Sequence, residues 1–194
     1  MKFTAISDLH GDSKAALALA EKSENTVVIA GDITTFDREV YYVIKPFVNR
    51  KKQVLFVPGN HDFVAARSFE EKYAIKNIQN YPVIYEDVGF FGCGGGTTIG
   101  PNLISEKDMF EYLAKGYEKI KKAKKKIMIT HMHPKNTVME RNFFQGSSAV
   151  RQAIEIFKPD IHICGHIHET EGFEDKIGNT RVICTGKRGI LLEV

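Results

Sequence analysis

Five runs of apolar, β-branched residues in this chain each stop at a side chain able to bind a cation. Lys2–Ser7 leads into Asp8-Leu9-His10, and Thr26–Ala30 into Gly31-Asp32. Gln53–Val57 leads into Gly59-Asn60-His61-Asp62, Lys126–Thr130 into His131, and Ile161–Cys164 into Gly165-His166-Ile167-His168. Such runs read as buried strands. Core packing does not require oxygen or imidazole donors at strand ends, so their repetition demands a fold that brings those ends together.

Between the runs lie helical patterns. Ser13 to about Ser23 carries Ala15, Leu17, Leu19 and Ala20, and Thr35 to about Asn49 carries Val40, Val43, Ile44 and Phe47 at i, i+3, i+4, i+7 spacing. Pro46 inside the second pattern predicts a kink or an early end. Strand–helix–strand–helix–strand in short repeats indicates parallel pairing through right-handed crossovers. Further on, Val64 to about Lys76 reads as a helix, and Pro82–Gly92 as two strands meeting near Asp87. Ser105 to about Lys122 reads as a helix with a serine N-cap and Asp108 at N3, where a carboxylate suits the helix end. Ser148 to about Phe157 is a last helix, and Arg181–Thr185 with Ile190–Val194 read as a terminal hairpin. No linker or repeat interrupts the chain, and a single domain over 1–194 is expected.

At 194 residues, 43% hydrophobic and 26% charged, the chain suits one substantial core and argues against disorder. A net charge of +3 calls for no polyanionic partner, so nucleic acid is not indicated. No segment reaches the ~18 apolar residues of a membrane span, and the N-terminus has no signal-like stretch. Cys93, Cys164 and Cys184 form no C-x-x-C pair, which favours reduced thiols and a cytoplasmic location. The lysine-rich stretch Lys119–Lys126 reads as a solvated helix end rather than a nucleic-acid strip.

In an open α/β sheet, ligands bind beyond the carboxyl ends of the strands, where all five donor sets fall. Residues i and i+2 of an extended chain project to the same side, roughly 6–7 Å apart, so Asp8 and His10 can share an ion, as can His166 and His168. Glycines 31, 59 and 165 fit sharp turns where a side chain would crowd the cluster. Asp32 is the natural bridging carboxylate for two cations about 3.5–4 Å apart. Two divalent ions against Asp8 and Asp32 leave the site about +2, attractive to phosphate. Nitrogen and oxygen donors without thiolate favour Mn²⁺, with Fe, Zn²⁺ or Ni²⁺ also suitable. The Gly94-Gly95-Gly96-Thr97-Thr98 run can be read as a phosphate cradle, but a tight turn is favoured. The irregular stretch Met132–Ser147, with Lys135, Arg141, Asn142, Phe143 and Phe144, is expected to line the cleft. His133 reads as a rim or supporting residue, and His162 as a hydrogen-bonded histidine of the core.

The ordered set D-x-H, G-D, G-N-H-D, H and G-H-x-H, from Asp8 to His168, resembles the calcineurin-like metallophosphoesterases, small single-domain members above all. The resemblance implies two mixed β-sheets packed face to face and flanked by helices. It implies that Asp8, His10, Asp32 and His168 hold one ion, and that Asp32, Asn60, His131 and His166 hold the other. The substrate would be a phosphate ester, attacked by a metal-bridging hydroxide, with His61 as general acid and Asp62 as the carboxylate opposing it. Many members carry G-D-x-x-D, whereas here the next acid after Gly31-Asp32 is Asp37, taken as a supporting group. A nuclease of the same group ranks second, because little chain follows the last motif. A non-catalytic scaffold ranks third, because every ligand position is filled.

Overall fold

The apolar runs form strands whose two faces are both covered. The computed structural model describes residues 1–38, 40–141 and 144–194, with Val40 by its backbone alone. Asn142, Phe143 and the side chain of Val40 therefore lie outside the described residues. Parallel strands β1 (Lys2–Ile6), β2 (Thr26–Ala30) and β3 (Gln53–Val57) make the centre of one sheet. A short β4 (Lys76–Asn77) extends it on one side and β11 (Ile190–Glu193), antiparallel to β1, closes it on the other. The second sheet runs β5 (Val83–Tyr85), β6 (Val88–Cys93), β7 (Lys125–Thr130), β8 (Ile161–Cys164), β10 (Thr180–Cys184), β9 (Glu174–Ile177). Its inner pairs are parallel and its two outer pairs antiparallel. Both sheets are thus mixed.

Period-two alternation sorts the strand residues into three cores. Phe3, Ala5, Val28, Leu55 and Val57 of the first sheet meet Phe90, Ile127, Ile129, Ile163 and Ile183 of the second. Ile6, Val27, Ile29, Val54 and Phe56 point the other way, onto helices α1 (Ser13–Lys22), α2 (Val40–Asn49) and α3 (Val64–Tyr73). Phe91, Met128, Cys164, Val182 and Cys184 face α4 (Glu106–Ile120) and α5 (Ser148–Phe157). The result is a helix–sheet–sheet–helix sandwich, the expected architecture.

Local signals set the helix starts. Ser105 Oγ accepts from Asp108 N at 3.0 Å, and Ser147 Oγ from Val150 N at 3.1 Å. The second helix departs from expectation at its start and at Pro46, and ends at Asn49 as expected. Thr35–Arg38 is a turn, with Phe36 and Asp37 in the left-handed region (φ 51 and 61), and the helix begins at Val40. It then continues through Pro46 to Asn49, because burying Val43, Ile44 and Phe47 outweighs one missing backbone bond. Helix α3 ends at Tyr73, with Ala74 left-handed, which frees Lys76–Asn77 to pair with β3.

The terminal hairpin is a correction. Thr180–Cys184 and Ile190–Glu193 lie in different sheets: β10 beside β8 and β9, β11 beside β1. The segment between them crosses from one sheet to the other, and β11 covers an edge of β1 that would otherwise stay unpaired. The hairpin that does form is β9–β10, turning at left-handed Gly178. Among the described residues no helix is long and apolar enough to cross a membrane.

Candidate metal centre

All five donor-bearing turns leave the carboxyl ends of parallel strands β1, β2, β3, β7 and β8, and both sheets present those ends on the same side. The turns are tied to one another directly. Asp8 N donates to Gly31 O at 3.0 Å and His10 N to Asp32 O at 2.9 Å. His61 N donates to Asp32 Oδ1 at 2.9 Å, Gly165 N to His131 O at 3.1 Å, and His166 N to both Asp8 oxygens at 3.2 Å. Glycine is needed where these loops cross. A Cβ on Gly31 (φ +84) would stand 2.5 Å from His131 Nδ1, and one on Gly165 would stand 2.5 Å from Asp8 Oδ2.

The seven side chains named as ligands lie together. Asp8, His10 and His168 bring their donor atoms within 4.8 Å of one another, and so do Asp8, Asp32 and His131. His10 Nε2 is 3.0 Å from His168 Nε2 and 3.5 Å from Asp32 Oδ2. On the other side, His131 Nε2 is 2.8 Å from Asn60 Oδ1, 3.2 Å from His166 Nδ1 and 3.4 Å from Asp32 Oδ2.

Hydrogen-bond chemistry shows that this set fits a cation. His131 Nδ1 lies 2.9 Å from the Ala30 carbonyl, so it carries the proton and donates. Its Nε2 lone pair then points at oxygens of Asn60 and Asp32, acceptor against acceptor. A positive charge between them satisfies the imidazole and both oxygens at once. In the metal-free protein a proton fills that role: burial disfavours charge on His131, but the Asp32 carboxylate overrides it and pushes the pKa up to about 10. Burial acts upward on Asp32 and His131 downward, and the carboxyl ends well below its usual range. Burial, then repulsion from His131, pushes His166 down to about 3, and burial lowers His10. Those imidazoles stay neutral and keep lone pairs for a metal. Backbone strain concentrates here too, with Asp8, His10, Asp32 and His166 at φ of 55, 47, 50 and 77.

His61 joins the cluster from the rim. Its Nε2 is 3.9 Å from Asp32 Oδ2, its ring lies 4.9 Å from that of His10 and 4.3 Å from exposed Phe36, and its Nδ1 is buried with no partner among the described residues. The expected pairing with Asp62 is corrected. Among the described residues no hydrogen bond links Asp62 to the His61 ring. Its carboxylate is buried and accepts from Ile33 N (3.0 Å), Thr34 N (2.8 Å), Thr34 Oγ1 (2.7 Å) and Gly59 N (2.9 Å). Asp62 pins the turn that follows Asp32 to the turn that presents Asn60. Asp37 supports the site from outside, its carboxylate accepting from Phe63, Val64 and Ala65 N at 2.8, 3.0 and 2.8 Å and so capping α3.

The glycine run is a buttress rather than a cradle. The N–H groups of Gly94, Gly95 and Gly96 are bound to Gln79 Oε1, Pro58 O and Asn102 O, and Asn102 N in turn holds Asn60 O. His162 pairs with Thr130 Oγ1 at 2.7 Å inside the core, and His133 is buried behind His166. Lys121, Lys124 and Lys125 pair with Glu118, Asp87 and Asp160, in keeping with a solvated helix end. Sequence reasoning missed Ser7, whose hydroxyl donates to Asp8 Oδ2, and Phe36 against His61. Ser7 carries a weak signal as the neighbour of Asp8; Phe36 carries none.

The sequence profile of the family described as calcineurin-like phosphoesterase matches residues 1–170. The uncharacterized protein MJ1162 of Methanocaldococcus jannaschii is 32% identical over 192 residues, 94% of this chain and 87% of that protein. Among solved structures, TT1561 of Thermus thermophilus superposes with a TM-score of 0.75 at 18% identity, over 95% of this chain and 88% of its own. A dimetal phosphatase of Danio rerio superposes with a TM-score of 0.65 at 13% identity, over 96% and 88%. At such identities the two structures speak for the fold.

Proposed function

The chain belongs to the calcineurin-like phosphoesterase family, and from that premise we propose that it hydrolyses phosphate esters with two divalent cations and His61 as proton donor. Asp8, His10, Asp32 and His168 would hold one cation, and Asp32, Asn60, His131 and His166 the other. The observation that carries this reading is the convergence of His131 Nε2 on Asn60 Oδ1 at 2.8 Å and on Asp32 Oδ2 at 3.4 Å, donors that one cation would satisfy together. Once bound, the cations would supply an activated water and neutralise charge on the phosphate oxygens. The Danio rerio structure is called a dimetal phosphatase, which agrees with that chemistry. A nitrogen–oxygen donor set without thiolate favours Mn²⁺ over Fe, Zn²⁺ and Ni²⁺.

The protein's own groups divide the remaining work. Ser7 and the His166 N–H orient Asp8, and the Ala30 carbonyl fixes the tautomer of His131. Asp62 holds the Asp32 and Asn60 turns in register. His61, at the rim and 3.9 Å from Asp32, delivers a proton to the departing oxygen. The three cysteines are free and buried, which suits a reducing compartment, and the cytoplasm is the proposed location.

The test is reconstitution with each metal, elemental analysis, and a panel of phosphate esters. Two metal ions per chain and metal-dependent turnover are expected. Less than one ion per chain, or no turnover with any metal, refutes the reading.

A further inference from the structure

A pocket of about 250 Å³ opens beside His166, lined among others by Thr97, Thr98, Met132, Phe144 and Gln145. Neither His61 nor Phe36 lines it. The contacts run in sequence from one end of the donor cluster to the other: Phe36 on His61, His61 Nε2 3.9 Å from Asp32, Asp32 3.4 Å from His131, and His131 3.2 Å from His166. The pocket is thus lined by His166, a ligand candidate, and not by the proposed proton donor. A group leaving with the His61 proton departs beside His61 and Phe36, and the pocket beside His166 is open to a group that stays on phosphorus.

The chemistry of the lining narrows what enters. Among the described residues no lysine or arginine lines it, and the one charged side chain there, Glu106, already accepts from Ser147 Oγ (2.7 Å), Ala149 N (2.7 Å) and Ser148 N (3.3 Å). Its negative charge opposes a second anionic group. Phe144 lies perpendicular to His166 with ring centroids 6.4 Å apart and adds aromatic surface to the lining, while Thr97, Thr98 and Gln145 supply hydroxyl and amide groups. A cavity of about 150 Å³ is enough for a benzene ring.

Resting on the phosphoesterase reading above, we propose that this pocket receives the retained substituent of a phosphodiester, an uncharged group about one aromatic ring in size. The reaction is R′O–PO₂⁻–OR + H₂O → R′O–PO₃H⁻ + ROH. A bond from the water oxygen to phosphorus forms and the P–OR bond breaks. The RO⁻ oxygen takes a proton from His61, and a proton released by the water restores that histidine. R′ occupies the pocket throughout. A monoester leaves the pocket empty and forgoes its contribution.

Three substrates with one leaving group isolate the pocket: p-nitrophenyl phosphate, methyl p-nitrophenyl phosphate and phenyl p-nitrophenyl phosphate. In the metal-loaded protein, kcat/KM should rise about tenfold from the methyl to the phenyl diester, with the monoester below both. By calorimetry, phenyl phosphate should bind about tenfold more tightly than inorganic phosphate. Thr98 is exposed, so Thr98→Phe fills the pocket without disturbing a core. It should erase both the phenyl-over-methyl ratio and the binding difference, with thermal unfolding reporting that the variant is folded. A phenyl diester no faster than the methyl one, or a monoester faster than either, overturns the assignment. Absence of turnover on every ester refutes the phosphoesterase reading instead. The calorimetric comparison then still decides the pocket, and equal affinity for the two phosphates overturns it.

Discussion

Removing the Asp62 carboxylate, which also accepts from Thr34 Oγ1, should cost far more than removing that of Asp37. Each accepts three backbone N–H groups, those of Ile33, Thr34 and Gly59 for Asp62 and those of Phe63, Val64 and Ala65 for Asp37. The difference is burial. Ile33, Thr34, Asp62 and Gly59 are closed to water, whereas Phe63 and Val64 are 61% and 60% exposed. An unsatisfied buried N–H costs about 1–3 kcal/mol, and with partial relaxation Asp62→Ala should lose about 3–5 kcal/mol. Asp37→Ala removes a helix cap and a favourable charge at a helix N-terminus that water can then reach, a loss of about 1–2 kcal/mol. For a chain of this length the melting temperature should fall by about 6–20 °C in the first case and about 2–8 °C in the second. Urea unfolding of metal-free protein in a chelator reads both, with the midpoint moving and the slope m unchanged. Asp62→Asn sharpens the test: in either orientation its amide nitrogen faces at least one backbone N–H, that of Thr34 or those of Ile33 and Gly59, so it should lose more than Asp37→Ala despite its matching shape. Equal losses for Asp62→Ala and Asp37→Ala would show that water reaches the Asp62 donors, and the argument from burial would fail.

His61→Ala should lower turnover of alkyl esters about 10²–10⁴-fold while sparing nitrophenyl esters, whose leaving groups need no proton; equal loss on both removes the proton-donor role. Gly165→Ala sets a Cβ 2.5 Å from Asp8 Oδ2 and 2.6 Å from Ser7 Oγ, so metal affinity should fall about 10–100-fold by competition with a chelating dye, and unchanged affinity would refute the close-approach argument. The metal-free protein should be most stable near pH 6.5. His131, raised to about 10, contributes stability that is complete below 6.5 and is lost as pH climbs through 10. His133, His162 and His166, lowered to about 4, 3 and 3, make the unfolded chain the better proton binder below 6.5, so stability also falls on acidification. A bound cation replaces the proton on His131, so metal loading should flatten the alkaline limb of urea midpoints measured against pH; a limb of the same slope with metal would show that His131 is not a ligand.

Where a signal was local, the chain could be read to the residue. Thr26–Ala30, Gln53–Val57, Ser148–Phe157 and Ile161–Cys164 form as expected, because uninterrupted β-branched runs and a capped amphipathic stretch each have one favourable backbone state. The order of donors from Asp8 to His168 pointed to the family, and the donors cluster because each follows a strand and parallel strands end together. Choices among partners were not legible. Whether Ile190–Glu193 would pair with β10 or with the open edge of β1 depends on which edge folding leaves vacant. The same holds for Lys76–Asn77, too short to be a strand without β3 beside it. Asp62 was misread for that reason: adjacency to His61 in the chain suggested a pair, while the turn turns its carboxylate toward Thr34 and Gly59. The sequence by itself determined which side chains are donors and that they sit at strand ends. Only the tertiary structure decided which donors converge, which carboxylate is buried among N–H groups, and that space opens beside His166. These are properties of packing between segments far apart in the chain, and no local pattern encodes them.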